Sequence, residues 1–539
     1  MYFLGISGGV LSGNQDGAAA LIHNGEIIAA AEEERLIQIK HASGLLPKNA
    51  IRFCLKQAGI SIRDVASVTF PGATYKNFNE ILHDYFDFTF GYSPPIVLED
   101  HHLCHAASTY YLWTREPALI LTMDYSGDGT STFAAVGENL DIRELYRISK
   151  PNSLGVFYSI LTQYLGYQKD SDEYKVMGLA SYGKPTLDFS EVLHIHGEKY
   201  QLNPAHLKSA VSPGLPAPSK QEKIYVGNLS LPQPARLSGE PVTEYHMNVA
   251  ASGQKSLETM VLHLVERLVK KTGIRRLCLA GGVSLNCSMN QKIRESSLVD
   301  DFFVPPHVSD AGLAIGGALL QSVKNNIAPK PLNHAYLGPE YRNEEIRQVL
   351  DDCHLNYEFL ENIEARVAED LARGMIIGWF QGRMEFGPRA LGNRSILADP
   401  RDESMKDKIN RLVKFREEYR PFTPSVLEEK QADYFKGVIV SPYMTITFDV
   451  IESKKRIIPA VTHVDGTARI QSVNPVTNPR YHKLISEFEK ITGVPVVLNT
   501  SLNVMGQPIT CEPRSALQTY FSSGLDGLAL GNFYLKKNP

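Results

Sequence analysis

Two histidines and two aspartates have the residue types and the spacing that a metal site requires. His101 and His105 are four positions apart, so a helix would present both imidazoles on one face. Asp124 ends a strand-like apolar run, and Asp310 stands just before a helix of small residues. A set of nitrogen and oxygen donors without thiolates suits Fe(II), Mn(II) or Zn(II). The alternative for these residues is a turn, a cap or a surface position, so the prediction depends on all four meeting in the fold.

The composition of the chain limits the classes of protein to which it can belong. At 539 residues it is long enough for more than one domain. A formal net charge of -4, with 21% charged residues, provides no basic stripe, and we therefore expect no nucleic-acid partner. The six cysteines form no CxxC pair, the N-terminus lacks the character of a signal peptide, and no apolar run would span a bilayer. We expect a cytoplasmic protein without a membrane partner.

One order of elements occurs twice in the chain: a strand, an acidic turn and a hairpin. The first copy has a strand at Tyr2–Ser7, a turn with Asp16 and a hairpin that turns at Asn24. The second copy begins with the apolar run at Ala118 and continues through a turn at Asp128. This repeat is the layout of the duplicated ribonuclease-H-like lobes of the ASKHA superfamily, which includes sugar kinases, Hsp70 and actin. It predicts an α/β fold with a nucleotide between two lobes.

Two glycine-containing segments are candidates for nucleotide contacts. A strand at Arg275–Gly282 ends in a glycine turn that leads into a helix, where backbone amides could approach a phosphate or an adenine. Gly316 and Gly317 offer a second close approach, and their position near Asp310 favours nucleotide binding. The alternative for each glycine pair is a simple turn or close helix packing.

Changes in composition indicate the limits of the domains. The segment Asn325–Arg342 is rich in Pro and Asn, which predicts a first domain over residues 1–340 and a second domain over residues 341–539. Within the first domain, Pro185–Glu244 has the composition of an irregular insertion or a flexible spacer, and its role cannot be read.

The second domain carries a dense set of cations among Gly, Pro, Ser and Thr residues. The set consists of Arg383, Arg389, Arg394, Arg401, Lys414, Arg416, Arg420 and Arg469. Arginines and lysines that converge beside hydroxyls and glycine amides are what a phosphate or polyphosphate pocket needs. The alternative is a solvated basic face, but these cations do not follow the pattern of a helix face. We therefore predict a phosphate-binding pocket.

A series of motifs then identifies a family. The chain contains, in order, AAAEEERLIQIKH, DHHLCHAAS, LTMDYSGDG, SLGVFYSILTQYLGY, DEYKVMGLASYG, GGVSLNC, GPRALGNRSILADPR, FREEYRPFTPSV and VVLNTSLNVMGQPI. In these motifs it resembles the NodU/CmcH carbamoyltransferase family. The motifs extend from the first strand almost to the C-terminus, so the resemblance covers essentially the whole chain.

The resemblance implies an enzyme with two sites. A C-terminal YrdC-like α/β domain would make carbamoyl adenylate from carbamoyl phosphate and ATP, with Mg²⁺, and would release pyrophosphate and phosphate. The two N-terminal ASKHA lobes would hold that adenylate with a divalent ion, Fe²⁺ in the first place, while a hydroxyl of a small-molecule natural product attacks the carbamoyl carbon. AMP would then leave. This chemistry belongs to antibiotic-type biosynthesis.

The resemblance also assigns roles to particular residues of this chain. The metal ligands would be His101, His105, Asp124 and Asp310. The contacts to carbamoyl phosphate and ATP would be Arg389, Lys414, Arg420, Arg469, Asn499 and Ser501. The contacts to the adenylate would be Asp128, Gly281, Gly282, Val283, Asn286, Gly316 and Gly317. The catalytic residues would be Asp16, Arg389 and Lys414.

The chain departs from the family at one position that concerns catalysis. Family members commonly have a His before the N-terminal Asp, whereas this chain has Gln15 before Asp16. An amide cannot accept a proton near neutral pH, so Gln15 is not the general base. Asp16 or another residue such as His41 takes the proton, or the family His never had that role.

Two alternatives to a small-molecule carbamoyltransferase remain. The first is a threonylcarbamoyl-type transferase that acts on tRNA, which the absence of a basic surface disfavours. The second is a nucleotide-sensing module that uses the kinase-like fold without chemistry. A sensor needs one nucleotide site, whereas this sequence keeps both a metal set and a cation set, and this disfavours the sensor.

Overall fold

A computed structural model describes residues 1–9, 16–75, 77–210, 224–227 and 229–537 of the chain. For residues 208–210 and 224–227 it describes the backbone. The chain forms two compact units. The first consists of Met1–Glu33 and His41–Leu332, and the second consists of Glu34–Lys40 and Asn333–Pro539. A short segment from the N-terminal part of the sequence therefore packs with the C-terminal unit.

The first lobe of the first unit is an α/β sheet with helices. Its elements are β1 (Tyr2–Ser7), β2 (Ala18–His23), β3 (Glu26–Glu32), α2 (Lys48–Ala58), β4 (Val65–Pro71), α3 (Phe78–Phe90) and β5 (Ile96–Glu99). The short helix α1 (Glu33–Ile37) follows β3, and all of it after Glu33 belongs to the second unit. The strand order is β3-β2-β1-β4-β5. β1 pairs antiparallel with β2 and parallel with β4, and β5 extends the parallel side.

The second lobe repeats this plan. Its strands and helices are α4 (His101–Tyr110), β6 (Ala118–Gly127), β7 (Thr130–Glu138), β8 (Asp141–Ser149), α5 (Leu154–Tyr164), α6 (Glu173–Ala180), β9 (Leu193–His196), β10 (Lys199–Leu202), β11 (Leu207–Ala210), β12 (Ile224–Gly227), α7 (Glu244–Thr272), β13 (Arg276–Ala280), α8 (Cys287–Glu295), β14 (Asp301–Phe303) and α9 (Gly312–Lys324). Its main sheet has the order β14-β13-β6-β7-β8.

The two main sheets have the same topology, because β6, β7, β8, β13 and β14 take the places of β1 to β5. In each sheet the first strand is antiparallel to the second and parallel to the fourth. The predicted duplication of ribonuclease-H-like lobes is thereby confirmed. The central strands β1 and β6 are buried over most of their length, as expected for strands covered on both faces.

The region between α6 and α7 differs from the prediction of an irregular insertion. It contains two antiparallel pairs, β9 with β10 and β11 with β12. Residues 211–223 and 228 of this region lie outside the described part of the chain. The helix α7 begins at Glu244, which is the last residue of the predicted insertion.

Helix α9 contacts its neighbours closely because it contains small residues. A Cβ atom added to Gly316 would lie 1.8 Å from the carbonyl oxygen of Cys104 on α4. On the other side, a Cβ atom added to Gly5 of β1 would lie 1.7 Å from the carbonyl oxygen of Ala314. The backbone of α9 therefore touches both the first lobe's sheet and the helix that carries the two histidines.

We predict that Gly316→Ala destabilises the protein by about 1–3 kcal/mol, because a backbone carbonyl cannot move aside for the added methyl group. Gly253→Ala is the matched control. It also lies inside a helix, but its added Cβ would meet the tip of the Leu161 side chain, at 2.3 Å, and that side chain can change rotamer. Differential scanning calorimetry should show a larger loss for Gly316→Ala. Equal losses would contradict the packing role.

The second unit is a mixed α/β structure. Its elements are α10 (Asn343–Asp352), β15 (Glu358–Phe359), α11 (Ile363–Ala372), β16 (Ile377–Phe380), β17 (Arg394–Ala398), α12 (Met405–Ile409), β18 (Thr423–Leu427), β19 (Thr447–Asp449), α13 (Glu452–Lys455), β20 (Thr467–Arg469), β21 (Gln471–Val473), α14 (Pro479–Thr492), β22 (Val496–Ser501), α15 (Pro513–Phe521), β23 (Gly527–Leu530) and β24 (Phe533–Lys536). The main sheet has the order β15-β24-β23-β16-β17-β22-β18-β21.

Candidate metal and phosphate sites

The start of α4 positions the two histidines of the metal set. Asp100 caps the helix, and its side chain accepts a hydrogen bond of 2.8 Å from the backbone N–H of Leu103. One helical turn separates His101 from His105, and both imidazoles are buried, with 1% and 0% of the residue exposed. Their shared face points toward the end of β6.

Asp124 and Asp310 complete the group. Asp124 Oδ2 lies 3.1 Å from His105 Nε2 and 3.4 Å from His101 Nε2. Asp310 Oδ1 lies 3.5 Å from His105 Nε2 and 3.7 Å from His101 Nε2. One donor atom from each of the four residues lies within 4.8 Å of all the others. The structure therefore brings together the four residues that the sequence singles out.

The geometry of this cluster fits a single divalent ion. Donor atoms bound at about 2.1 Å to one ion in a tetrahedral or octahedral shell stand roughly 3.0–3.4 Å apart. The four measured distances between imidazole nitrogen and carboxylate oxygen range from 3.1 to 3.7 Å. Within the described residues, His101 Nδ1 and His105 Nδ1 are buried without a hydrogen-bond partner. Both rings therefore make their polar contacts through the nitrogen that faces the carboxylates.

The histidines and aspartates of the metal set also interact electrostatically. Burial and the charge of Asp124 raise the pKa of Asp310, whereas hydrogen bonds from the two histidines, against the effect of burial, hold the pKa of Asp124 well below its usual range. Burial disfavours the charged form of His105, but the two carboxylates raise the pKa of His105 to about 9. Two adjacent buried carboxylates need positive charge near them, which a bound cation would supply.

Asp310 does not cap α9, which corrects the simplest alternative for this residue. The helix begins at Gly312 with Ala311 at the capping position, and no side-chain cap is formed there. The Asp310 carboxylate faces the histidines instead.

The structure gives Asp128 a positioning role, and the adenylate contact that the resemblance implies for it stays a prediction. Its carboxylate accepts hydrogen bonds from the backbone N–H groups of Ala73 (3.2 Å), Thr74 (2.9 Å) and His101 (2.9 Å), and from the Thr74 hydroxyl (2.7 Å). These contacts use the acceptor capacity of the carboxylate and fix the first residue of α4. Asp128 therefore holds a metal-ligand residue in place through its backbone.

Asp128→Asn is expected to lower stability by about 1–2 kcal/mol and to weaken divalent-ion binding by roughly 10–100-fold, because an amide nitrogen would face backbone donors and His101 would lose its anchor. Asp188→Asn is the control. Asp188 also accepts from a backbone N–H and a hydroxyl, both of Ser190, at 2.8 and 2.9 Å, but at an exposed local turn. Titration of each variant with Mn²⁺ measures the difference, and equal affinities would contradict this role.

The turn after β13 lies directly beside the metal set. A Cβ atom added to Gly282 would lie 3.2 Å from Asp124 Oδ1, and one added to Gly281 would lie 2.2 Å from the carbonyl oxygen of Met123. Gly281 has a positive φ of 84°, which favours glycine. Val283 is partly exposed in the same turn. The turn stays a candidate for adenylate contacts.

Three other residues predicted to contact the adenylate are used by the fold. Asn286 caps α8, where its side chain accepts from the backbone N–H of Met289 at 2.9 Å, and it exchanges hydrogen bonds with Gln254. Gly316 and Gly317 are buried inside α9. Their Cβ directions point at Cys104 and at Thr69. The structure shows close helix packing at this pair, and its contact with the adenylate stays a prediction.

In the second unit, Lys414 lies at the centre of an oxygen-rich contact. This residue is 3% exposed and ends a π-helical turn, a feature that often marks functional sites. Its Nζ donates to the carbonyl oxygen of Ser501, and it lies 3.2 Å from Ser501 Oγ, 3.0 Å from the Asn503 carbonyl oxygen and 2.8 Å from Asn503 Oδ1. Burial, and then the nearby charges of Arg416 and Arg420, hold the pKa of Lys414 well below its ordinary value.

Further predicted phosphate contacts surround the end of β22. The buried Asn499 side chain donates to the carbonyl oxygen of Ala390 at 3.2 Å, which places the neighbour of Arg389 beside this strand. Arg469 donates to the Thr423 hydroxyl at 3.0 Å, and Thr423 is the cross-strand partner of Asn499. Asn499 and Arg469 thus lie near the end of β22, and Ala390, the residue after Arg389, contacts the same strand.

Arg394 is a structural residue, which corrects part of the predicted cation pocket. It is 0% exposed, and its guanidinium carbon lies 3.7 Å from the centre of the Phe380 ring. It donates to backbone carbonyl oxygens, with the shortest bond, 2.7 Å, to Gln381. Its charge is therefore used inside the fold.

Three further cations of the predicted pocket also have partners in the fold. Arg401 pairs with Asp399 at 2.6 Å. Arg416 donates to Asn410 Oδ1 at 2.7 Å, and Arg383 donates to the backbone carbonyl of residue 338 at 3.2 Å. Charge and composition alone do not distinguish a cation that binds a ligand from one that binds the backbone.

Sequence reasoning missed Glu385 and Asn503. The buried Glu385 carboxylate accepts backbone N–H bonds from Leu391 (2.7 Å), Asn393 (2.8 Å) and Arg394 (3.2 Å), and it thereby shapes the loop that carries Arg389. Both missed residues stand inside or next to motifs rich in predicted site residues. A lone acid among arginines and an Asn two positions after Ser501 were the available signals.

The proposed catalytic residue Asp16 contacts His41. Asp16 Oδ1 lies 3.2 Å from His41 Nδ1, and His41 Nε2 lies 3.4 Å from Ser171 Oγ. Gln15, the position at which the chain departs from the family, lies outside the described residues. In the described part of the chain, no helix is both long enough and apolar enough to cross a membrane.

Comparison with protein-family models gives two matches that span most of the chain. A model described as "Carbamoyltransferase N-terminus" matches residues 5–92 and 72–319, and one described as "Carbamoyltransferase C-terminus" matches residues 368–537. Nodulation protein NolNO from Sinorhizobium fredii is 38% identical over 100% of this chain and 83% of its own length. Nodulation protein NolO from Bradyrhizobium diazoefficiens is 41% identical over 82% of this chain and 79% of its own length.

Solved structures give weaker matches. The activator of the 2-hydroxyisocaproyl-CoA dehydratase from Clostridium difficile with bound ADPNP has a TM-score of 0.35 and 14% identity, over 60% of this chain and 97% of its own. HypF from T. kodakarensis has a TM-score of 0.34 and 14% identity, over 60% of this chain and 48% of its own. Both scores are below 0.5, so the family assignment depends on the sequence matches.

Proposed function

Because this chain belongs to the carbamoyltransferase family, we propose that it is an ATP-dependent O-carbamoyltransferase of the two-step kind. In the first step, residues of the second unit make carbamoyl adenylate from carbamoyl phosphate and ATP. In the second step, residues of the first unit support transfer of the carbamoyl group to a hydroxyl of a small molecule. AMP is the final leaving group.

The observation that carries the proposal is the buried Lys414 at the end of β22. Carbamoyl phosphate and ATP are strongly anionic, and fixed cations stabilise the charge that develops on a leaving phosphate. Lys414 is held in place by Ser501 and Asn503, and the charge of Arg420 acts on it. A buried amine next to a hydroxyl is therefore held where the phosphate contacts are proposed, and the negative charge of a bound phosphate would favour the ammonium form of Lys414.

The metal set supports the second step. His101, His105, Asp124 and Asp310 would hold a divalent ion, and their nitrogen and oxygen donors suit Fe²⁺, Mn²⁺ or Zn²⁺. When bound, such an ion supplies a Lewis acid that can polarise a carbonyl oxygen or neutralise phosphate charge. The chain's own part is to fix the ligands, through Asp100 and Asp128 at the start of α4, and to bury the imidazoles.

The proposed acceptor is a hydroxylated small molecule. Within the described part of the chain, several of the cations considered for ligand binding are already bound to backbone or carboxylate groups, and the formal net charge is -4, which gives no support to a nucleic-acid acceptor. A mass-spectrometric screen of hydroxylated natural-product intermediates for gain of a carbamoyl group would identify the acceptor.

The test of the proposed function is release of pyrophosphate from ATP and Mg²⁺ that depends on carbamoyl phosphate. The wild-type protein should release pyrophosphate and form carbamoyl adenylate, detected by mass spectrometry, before any acceptor is added. Cleavage of ATP to ADP, or no turnover with carbamoyl phosphate, would point instead to a kinase-like or sensing role.

A further inference from the structure

The contact between Asp16 and His41 joins residues that the sequence separates by 25 positions. The two side chains are 27% and 28% exposed, so both are accessible from one side while their facing atoms, Oδ1 and Nδ1, are 3.2 Å apart. Ser171 Oγ lies on the other side of the imidazole, 3.4 Å from Nε2. The imidazole thus lies between a carboxylate and a hydroxyl.

The backbone at His41 is unusual. His41 has φ 65° and ψ -14°, and the next residue, Ala42, also has a positive φ, of 43°. Residues other than glycine rarely adopt this left-handed conformation, and where they do the surrounding structure must hold them there. The side chain of His41, held in this conformation, contacts Asp16.

The position of this group in the fold is that of a ligand site. Asp16 follows β1, and its carbonyl oxygen accepts a hydrogen bond of 2.8 Å from Ser7 Oγ, at the last residue of that strand. In open α/β sheets ligands bind outside the carboxyl ends of parallel strands, and β1 is parallel to β4. Asp16 and His41 therefore stand at the ligand-binding end of the first lobe's sheet.

Helix α5 connects this group to the metal set. Before the helix, Ser153 Oγ donates to the carbonyl oxygen of the metal-set residue Asp124 at 3.0 Å. Farther along, Ser159 Oγ donates at 3.0 Å to Asp170, the residue before Ser171. Six residues of helix span about 9 Å. Both groups are therefore connected to the same helix, by contacts about 9 Å apart along it.

We propose that His41 is the general base that accepts the proton of the acceptor hydroxyl, and that Asp16 is a positioning residue that orients its imidazole. This inference rests on the proposed carbamoyl transfer. With Nδ1–H donating to the Asp16 carboxylate, Nε2 carries the lone pair and faces the place where a hydroxyl already stands. An imidazole has an ordinary pKa of about 6.5, near the pH of the cell, which suits a general base.

In the transfer step, the acceptor's O–H proton goes to His41 Nε2, and the acceptor oxygen forms a bond to the carbamoyl carbon. The bond between that carbon and the adenylate phosphate oxygen breaks, and its electron pair leaves with AMP. The imidazolium then returns its proton to solvent. Gln15, which has no base function, is not needed for this step.

The experiment uses preformed carbamoyl adenylate with two probe nucleophiles, water and hydroxylamine, and measures enzyme-dependent release of AMP. His41→Gln should slow the reaction with water by about 10²–10⁴-fold. The reaction with hydroxylamine should stay within a few-fold of wild type, because this nucleophile attacks without losing a proton first. A residue needed only for folding would affect both probes equally.

The pH profile gives a second readout. In wild type, the rate with water should fall on acidification as His41 becomes protonated, and His41→Gln should lack this acidic limb. Asp16→Asn should move the limb to lower pH, because a carboxylate favours the imidazolium and its removal lowers the pKa of the imidazole. His83→Gln is the control, since His83 Nδ1 also contacts a serine hydroxyl, that of Ser93, at 2.7 Å, without a carboxylate.

Three outcomes are decisive. Wild-type rates and an unchanged acidic limb in His41→Gln, with normal metal content and melting, would overturn the assignment of His41. A carbamoyl group found covalently on Ser171 after reaction would overturn it in favour of a serine nucleophile. If wild type itself shows no enzyme-dependent AMP release, the proposed function fails rather than this assignment alone.

Discussion

His105→Ala is expected to lose stoichiometric binding of a divalent ion. His105 Nε2 lies within 3.5 Å of carboxylate oxygens from both Asp124 and Asp310 and is fully buried, so no other group can take its place. Loss of an outer partner of a ligand typically weakens metal affinity by 10–100-fold, and loss of a ligand itself should weaken it by at least about 100-fold. Metal analysis of the purified protein and a Mn²⁺ titration measure the effect.

Two further variants separate metal loss from damage to the fold. Asp310→Asn keeps the size of the side chain and removes a charged oxygen donor, and it should also lose the ion. His263→Ala removes a histidine on α7 that contacts the backbone carbonyl of Gly197 at 3.0 Å and is not part of the metal set, and it should bind metal as wild type does. If His105→Ala and Asp310→Asn both keep one ion per chain, the ion binds elsewhere.

The second large effect is expected at Lys414. Lys414→Met should reduce pyrophosphate release that depends on carbamoyl phosphate by about 10²–10³-fold, the range seen when one preorganised donor to a developing anion is removed. Methionine suits the buried position, since burial already disfavours the ammonium and holds its pKa down. Lys408→Ala is the control, because Lys408 makes a long contact of 3.5 Å with the carbonyl oxygen of Gly374 and is not one of the predicted phosphate contacts.

Supplying preformed carbamoyl adenylate tests whether the two steps use separate residues. Lys414→Met should then release AMP at close to the wild-type rate, whereas Asp124→Asn should not. Each variant must melt as cooperatively as wild type for the comparison to hold. A Lys414 variant that stays inactive with carbamoyl adenylate, in a folded protein, would contradict two separate sites and favour a single shared one.

Much of the first unit could be predicted from the sequence, because its signals are local. Apolar runs and an Asn-Gly turn define the strands β1 to β3, and the same order from Ala118 reveals the duplication. The two histidines of the metal set were also readable, since four-residue spacing places His101 and His105 on one face of a helix, whereas only the fold brings Asp124 and Asp310 to them.

The phosphate residues were only partly predictable, because charge does not reveal its partner. Arg394 and Lys414 are both buried cations within conspicuous motifs. Both donate to backbone carbonyl oxygens, but Arg394 is stacked on Phe380, whereas Lys414 also contacts the side-chain oxygens of Ser501 and Asn503. Which of them remains available to a ligand depends on packing between segments that are distant in the sequence.

Sequence by itself determined the elements, their duplicated order and the residue types of both sites, since these follow from periodicity, turn chemistry and spacing over a few residues. Tertiary structure alone decided three matters. It assigned Gly316 to helix packing and Asp128 to the start of α4, because only the fold shows which atoms stand against them. It also places His41 in contact with Asp16, 25 positions earlier in the sequence, and gives His41 a left-handed backbone conformation that no local pattern predicts.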